Sequence, residues 1–186
     1  MEFANLCQEA RSDGPNWDAT KTAVRTIFET MPTSDVSRLV MTYVRLYLPK
    51  FLEKNPQETW VNERLATLQR VLEGELNPSE IPGFPEYNRM FDDPHARAYT
   101  AAIFSFWNMM RPVPRHYSFA ESAVYTISMI FRLLGFEYNQ WLPAEYEHLR
   151  SEGKDREGYQ ADLWCDLVSK LADIVSPDEK GADGLE

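Results

Sequence analysis

The sequence predicts an all-α protein, a single-domain bundle of six or seven helices built around helical hairpins. Three observations predict it. Apolar residues recur at spacings of three and four through most of the chain. No stretch sustains the apolar–polar alternation of a half-buried strand. Proline, glycine and capping residues punctuate the periodic segments at helix-length intervals.

Trp17, Thr20, Val24, Ile27, Phe28 and Met31 share one stripe, so a first amphipathic helix is expected there, ended by Pro32. A second follows Thr33-Ser34 and runs to about Lys54. Val36, Leu39, Val40, Tyr43, Val44, Tyr47 and Leu48 form its broad apolar face. Pro49 should kink it, because proline lacks the amide donor and its ring crowds the carbonyl four residues back. Between Pro56 and Gly74 a third helix turns Val61, Leu65, Leu68 and Leu72 inward and leaves Glu63, Arg64, Gln69 and Arg70 mostly in solvent.

Residues 77–94 interrupt the pattern with Pro78, Pro82, Gly83, Pro85 and Pro94. This longest connection carries Phe84, Tyr87, Met90 and Phe91, enough apolar surface to be packed down rather than hang free. A fourth helix opens with Asp93 as N-cap and Pro94 at the first helical position, where the missing amide costs nothing. From Ala98 to Met110 it carries no charge, and Arg111-Pro112-Val113-Pro114 stops it. Ser118-Phe119-Ala120-Glu121 is a capping box opening a fifth helix through Val124, Ile127, Ile130, Phe131 and Leu134, with Gly135 expected as its C′ residue. These two helices make the most hydrophobic hairpin in the chain. Their uncharged runs, about 13 and about 10 residues, fall short of the roughly 20 that a membrane span needs. A short helix is expected near Pro143–Ser151, and a final amphipathic one from about Gly158 to Val175 on Leu163, Trp164, Leu167, Val168, Leu171 and Ile174. One helical domain is thus expected over residues 1–177, with 178–186 a disordered acidic tail.

Composition narrows the function. The 186 residues carry 19 Lys and Arg against 29 Asp and Glu, a formal charge of −10. That balance argues against nucleic acid and against an anionic membrane, both of which reward clustered cations. With 44% apolar and 26% charged residues the chain is an ordinary globular one. The two cysteines, Cys7 and Cys165, make no CxxC pair or disulfide framework, so a reducing compartment is expected. Met1-Glu2-Phe3-Ala4-Asn5 lacks the basic and apolar regions of a secretory signal, and a cytoplasmic location follows as the expectation. The eight glycines assemble no GxGxxG, P-loop or GxSxG.

Candidate chemistry is sparse. Glu145-x-x-His148 has the spacing that puts a carboxylate and an imidazole on one helical face, but di-iron bundles need two such motifs and further core carboxylates. His95 follows Asp92 with Pro94 intervening. His116 sits before a helix without a nucleophile at a recognisable spacing. Cys165 lies mid-helix beside Trp164, where a free thiol packs in the core, and Cys7 has no assignable role. No catalytic residue, cofactor or metal is expected. The aromatics of the loops stand apart from those of the hairpin. Phe84, Tyr87, Tyr138 and Trp141, beside Asp92, Asp93, Glu145 and Glu147, have the makings of a partner-binding surface of aromatic anchors with an acidic rim.

The run Leu48-Pro49-Lys50-Phe51-Leu52-Glu53-Lys54-Asn55-Pro56, with Gly74-Glu75 closing the next helix, resembles the Imm-5-like family of bacteria, proposed to be immunity proteins. The family's helix ends in a similar LPxFxEKxP, and a helical hairpin follows where residues 95–135 stand here. The tight match covers about 28 residues. The family commonly has an Asp-Arg-Pro-like run where this chain has Thr59-Trp60-Val61, and its hairpin is rich in small residues rather than in Phe, Tyr, Trp and Met. What the resemblance implies is a helical protein that neutralises a toxin, with no catalytic residues to carry over. An acidic surface suits a basic protein toxin as partner. Two alternatives are a helical enzyme or small-ligand carrier, with its pocket between the central hairpin and the last helix, and an oligomeric module that forms a homodimer.

Overall fold

The computed structural model describes residues 3–14, 17–84, 91–112, 117–136, 144–149 and 153–175. Among them the chain is all-α. Its helices are α1 (Phe3–Ser12), α2 (Asp18–Thr30), α3 (Thr33–Lys54), α4 (Trp60–Leu72), α5 (Pro94–Met110), α6 (Phe119–Phe136) and α7 (Arg156–Val175). Short 3-10 helices cover Pro78–Glu80 and Ala144–Leu149, one turn and two turns long. The expected tail, 178–186, lies outside the described residues.

Helix α6 is the axis of the packing, in contact with α2, α3, α5 and α7. Its 18 residues are long and apolar enough to cross a membrane by length and composition, and 56% of that window is buried inside the bundle. Helix α1 lies along α7, and α4 packs on α3 and α5. One apolar cluster runs from Leu6 to Leu171. At its centre the Phe131 ring meets Tyr43 and Trp164 edge-on, each at 5.0 Å between centroids. A second aromatic group joins Trp60, Phe84, Phe104 and Trp107, with Arg64 over the Trp107 ring at 5.0 Å.

The caps sit where the sequence puts them. The Asp93 carboxylate accepts from the His95 amide at 3.0 Å. The Ser118 amide donates to Glu121 at 2.7 Å, and the Glu121 amide to the Ser118 hydroxyl at 3.1 Å. Hydrogen bonding to the Ser118 backbone first, and to its side chain second, holds the Glu121 carboxyl below its ordinary range. The midpoint connection is packed down where it is described: Ile81, Phe84 and Phe91 are buried, and the Trp107 indole donates to the Pro82 carbonyl at 2.9 Å.

Three expectations are revised. First, α1 is an added helix, whose Leu6 and Ala10 are buried. Second, Trp17 precedes its helix rather than joining it. It holds a left-handed backbone (φ 52°, ψ 39°), tied down by an indole bond to the Ala10 carbonyl at 3.0 Å, while Asp13 caps the helix from outside by accepting from the Thr20 amide at 2.8 Å. A non-glycine residue there costs roughly 1–2 kcal/mol, which burial of the indole offsets. As expected, α3 runs to Lys54 with Pro49 inside it. The buried Tyr99 hydroxyl donates to the Val44 carbonyl at 2.9 Å, just before the turn that lacks a proline donor. Third, Gly135 lies inside α6, not at a C′ position. A Cβ there would stand 2.1 Å from the Gln160 amide nitrogen and 2.7 Å from its Cγ, so the glycine is what lets α7 lay that side chain against α6.

Candidate functional site

The residues chosen from sequence for a partner surface separate in the structure. Phe84 is buried among Trp60, Phe104 and Trp107, so its ring is part of the core and is not presented as an anchor. Asp93 spends its carboxylate on the α5 cap. Asp92, Glu145 and Glu147 are exposed. Tyr87, Tyr138 and Trp141 lie outside the described residues, as does His116. His95 stacks on the half-exposed Phe136 ring at 5.1 Å, with Arg156 over the same ring at 3.7 Å. Among the described residues no group of three or more His, Cys, Asp or Glu is placed to hold a metal ion.

His148 finds its carboxylate on another element. It faces Asp166 of α7 at 3.4 Å, not Glu145 of its own turn. Asp166 gathers a polar network beneath the 3-10 turn. It accepts from the Tyr43 hydroxyl at 2.9 Å and pairs with Lys170, which also donates to Tyr146 at 3.3 Å. The Lys170 ammonium stands over the Tyr146 and Tyr43 rings at 4.5 and 5.1 Å. Burial, then the Asp166 charge and hydrogen bond, push the Tyr43 phenol well above its ordinary pKa. These contacts satisfy one another and tie α3, α7 and the 3-10 turn together.

A second site is a cavity of about 140 Å³ where α2, α6 and α7 meet. Trp17, Asp18 and Lys21 line it from one side, Ser128, Phe131 and Arg132 from α6, and Gln160 and Trp164 from α7. The helical period explains each group, since residues three and four apart share a face. Gln160 is 2% exposed, and its amide nitrogen has no hydrogen-bond partner. A buried donor left so costs about 1–3 kcal/mol. Lys21 is the nearest cation with a perturbed pKa: burial pushes it down, Asp18 at 4.0 Å opposes that, and Arg132 adds to it. The unexpected chemistry of the chain is here. Its sequence signal was a glutamine on the apolar stripe of the last helix, one turn before Trp164; nothing local announced Lys21 and Arg132 as neighbours.

The two cysteines also come together. Cys165 donates to the Cys7 carbonyl at 3.2 Å, and Cys7 to the Cys165 carbonyl at 3.6 Å, pinning α1 on α7. Burial, reinforced by Cys7, pushes the Cys165 thiol up to about 12. At pH 8 such a thiol is ionised about once in ten thousand, against roughly a quarter for an unperturbed one. Iodoacetamide should therefore modify Cys165 roughly a thousand times more slowly in the native protein than in urea, as read by peptide mass spectrometry after a short pulse at pH 8. Equal labelling in both states would mean that α1 does not cover it.

Comparison with protein-family models, curated proteins and solved structures finds no match to this chain.

Proposed function

We propose that this chain acts by binding, neutralising a basic protein toxin by direct association in the manner of an immunity protein. The observation that supports this reading is the arrangement of charge. Many cations are engaged locally: Arg25 with Glu29 and Glu121, Arg38 with Asp35, Arg70 with Glu75 and Lys154 with Asp162. Arg64 and Arg156 lie over aromatic rings. With 29 acids against 19 Lys and Arg, the excess is negative, and exposed Asp92, Glu145 and Glu147 belong to it. Such a surface speeds encounter with a basic partner and slows it with an acidic one. The resemblance of residues 48–75 to the Imm-5-like proteins points the same way.

The test is co-purification with the product of a toxin gene encoded beside this one, followed by inhibition at a one-to-one ratio. Charge reversal of Asp92, Glu145 and Glu147 to Lys should cut the association rate by about tenfold or more at low salt, with the effect shrinking as salt is added. No complex with any neighbouring gene product would overturn the reading. A second reading, a small-ligand carrier, is favoured by one observation, the cavity between α6 of the central hairpin and α7, the last helix.

A further inference from the structure

We propose that Cys7 and Cys165 form a disulfide site, closed by exchange with a small soluble disulfide and fixing the first helix, α1, to the last, α7.

The facing geometry of the two thiols carries the proposal. A disulfide needs Cα atoms about 4.4–6.8 Å apart and side chains turned toward one another. Here each thiol reaches across the helix interface to the other residue's backbone. Cys165 donates to the Cys7 carbonyl at 3.2 Å, and Cys7 to the Cys165 carbonyl at 3.6 Å. The Cys7 side chain is also a hydrogen-bond neighbour of the Cys165 thiol. Small residues allow this approach: Ala10 and Ala161, each one turn from a cysteine on its own helix, are 0% and 5% exposed. The 158 positions between the cysteines hide the pair from any local motif.

Exposure sets the order of events. Cys7 is half-buried and Cys165 buried, so an external reagent meets Cys7 first. The Cys7 thiolate attacks one sulfur of the small disulfide, whose S–S bond breaks and releases a thiolate that takes up the proton Cys7 gave up. Cys165 then loses its proton and attacks the Cys7 sulfur of the mixed disulfide. That S–S bond breaks in turn, and the second small thiol leaves with the Cys165 proton. Two protein thiols are oxidised, and one small disulfide is reduced to two thiols. The shortage of Cys165 thiolate, roughly a thousandfold, slows the second step. Position more than offsets it, because a well-oriented intramolecular group acts at an effective concentration of about 10⁵ M or more, against millimolar for a free thiol. The same shortage favours the product, since the reduced pair gains nothing from a stabilised thiolate.

What the bond changes is the hold on α1. This helix has ten residues, too few to stand alone in water, and fully buries Leu6 and Ala10. Oxidised, it is tied covalently to α7, and the link closes a loop of nearly the whole chain, where a cross-link removes the most entropy from the unfolded state.

The experiment equilibrates the full chain at about pH 8, without denaturant and again in urea, with about 5 mM reduced and about 0.5 mM oxidised glutathione. Acid quenching and peptide mass spectrometry then count the disulfide, the mixed disulfides and the free thiols. The native chain should be mostly the intramolecular Cys7–Cys165 disulfide, and the chain in urea should hold at least about tenfold less of it. The oxidised protein should melt about 5–15 °C above the reduced one. That gain should vanish in dithiothreitol and in Cys7→Ser, which changes the half-buried partner and leaves the core thiol in place. The proposal is overturned if the native chain carries glutathione on Cys7 without closing the bond, or if two chains are joined instead. Equal yields of the disulfide in urea and in buffer, or a melting temperature lowered by oxidation, would overturn it as well.

Discussion

Phe131→Ala should lower the unfolding free energy by about 3–5 kcal/mol, the usual cost of emptying a buried aromatic site. The ring is 1% exposed and stands edge-on to Tyr43 on one helix and to Trp164 on another. Each edge contact is worth about 0.5–1.5 kcal/mol beyond burial, and the hole left behind adds to the loss because three helices cannot all close on it. For a chain of this size the melting temperature should fall by roughly 6–20 °C. Urea unfolding monitored by circular dichroism gives the free energy, and an unchanged m-value would show that the native state is otherwise retained. Phe131→Leu should recover much of the buried area but neither aromatic contact, and so fall between. A loss under about 1 kcal/mol for the alanine variant would mean that α3, α6 and α7 do not meet at this ring. Phe131 also lines the cavity, so the same substitution should enlarge that space and loosen any small ligand held there.

The difference between what sequence shows and what it hides is visible in particular residues. Asp93 and Pro94, and Ser118 with Glu121, are legible because a cap is local: donor and acceptor lie within three residues and their spacing is the structure. The apolar stripes of α2 to α7 are legible for the same reason, since one helical period is enough to reveal a face. Helix α1 is not, because its two buried residues gain their meaning from α7 and α2, far off in sequence or beyond the turn at Trp17. Gly135 misleads in the same way. A glycine near a helix end reads as a terminator, but here its missing Cβ serves a side chain 25 positions later. Phe84 misleads from the opposite side, as a loop aromatic drawn wholly into the core. The candidate cavity is the extreme case. Trp17, Lys21, Arg132 and Gln160 come from separate stretches, and no pattern short of the tertiary fold places two cations beside an unmet amide.

The Asp166 network gives the other large expected effect. Asp166→Ala should cost about 2–4 kcal/mol at pH 7, because it strips the Tyr43 hydroxyl of its acceptor and leaves Lys170 without its carboxylate. The figure stays below that of a wholly buried pair, since the Lys170 and His148 side chains are 33% and 60% exposed and water takes over part of the loss. Asp166→Asn keeps an acceptor for Tyr43 and should cost less. The pH dependence separates this network from simple packing. Tyr43 has a folded-state pKa raised above its unfolded value, by burial first and then by the Asp166 charge and hydrogen bond. A raised pKa means that the stabilisation is whole below the unfolded value near 10 and is lost as pH climbs toward the folded one. Tyr99, raised by burial, behaves likewise and is common to both proteins. The parent should therefore lose stability above about pH 10 at up to roughly 1.4 kcal/mol per pH unit for each tyrosine. Without Asp166 the Tyr43 phenol ionises earlier in the folded state, so the variant stops paying that penalty sooner. The gap between parent and Asp166→Ala should narrow at high pH, as read from urea unfolding at pH 7 and at successive values above 10. A gap that stayed constant across that range would place Asp166 as packing alone and detach Tyr43 from it.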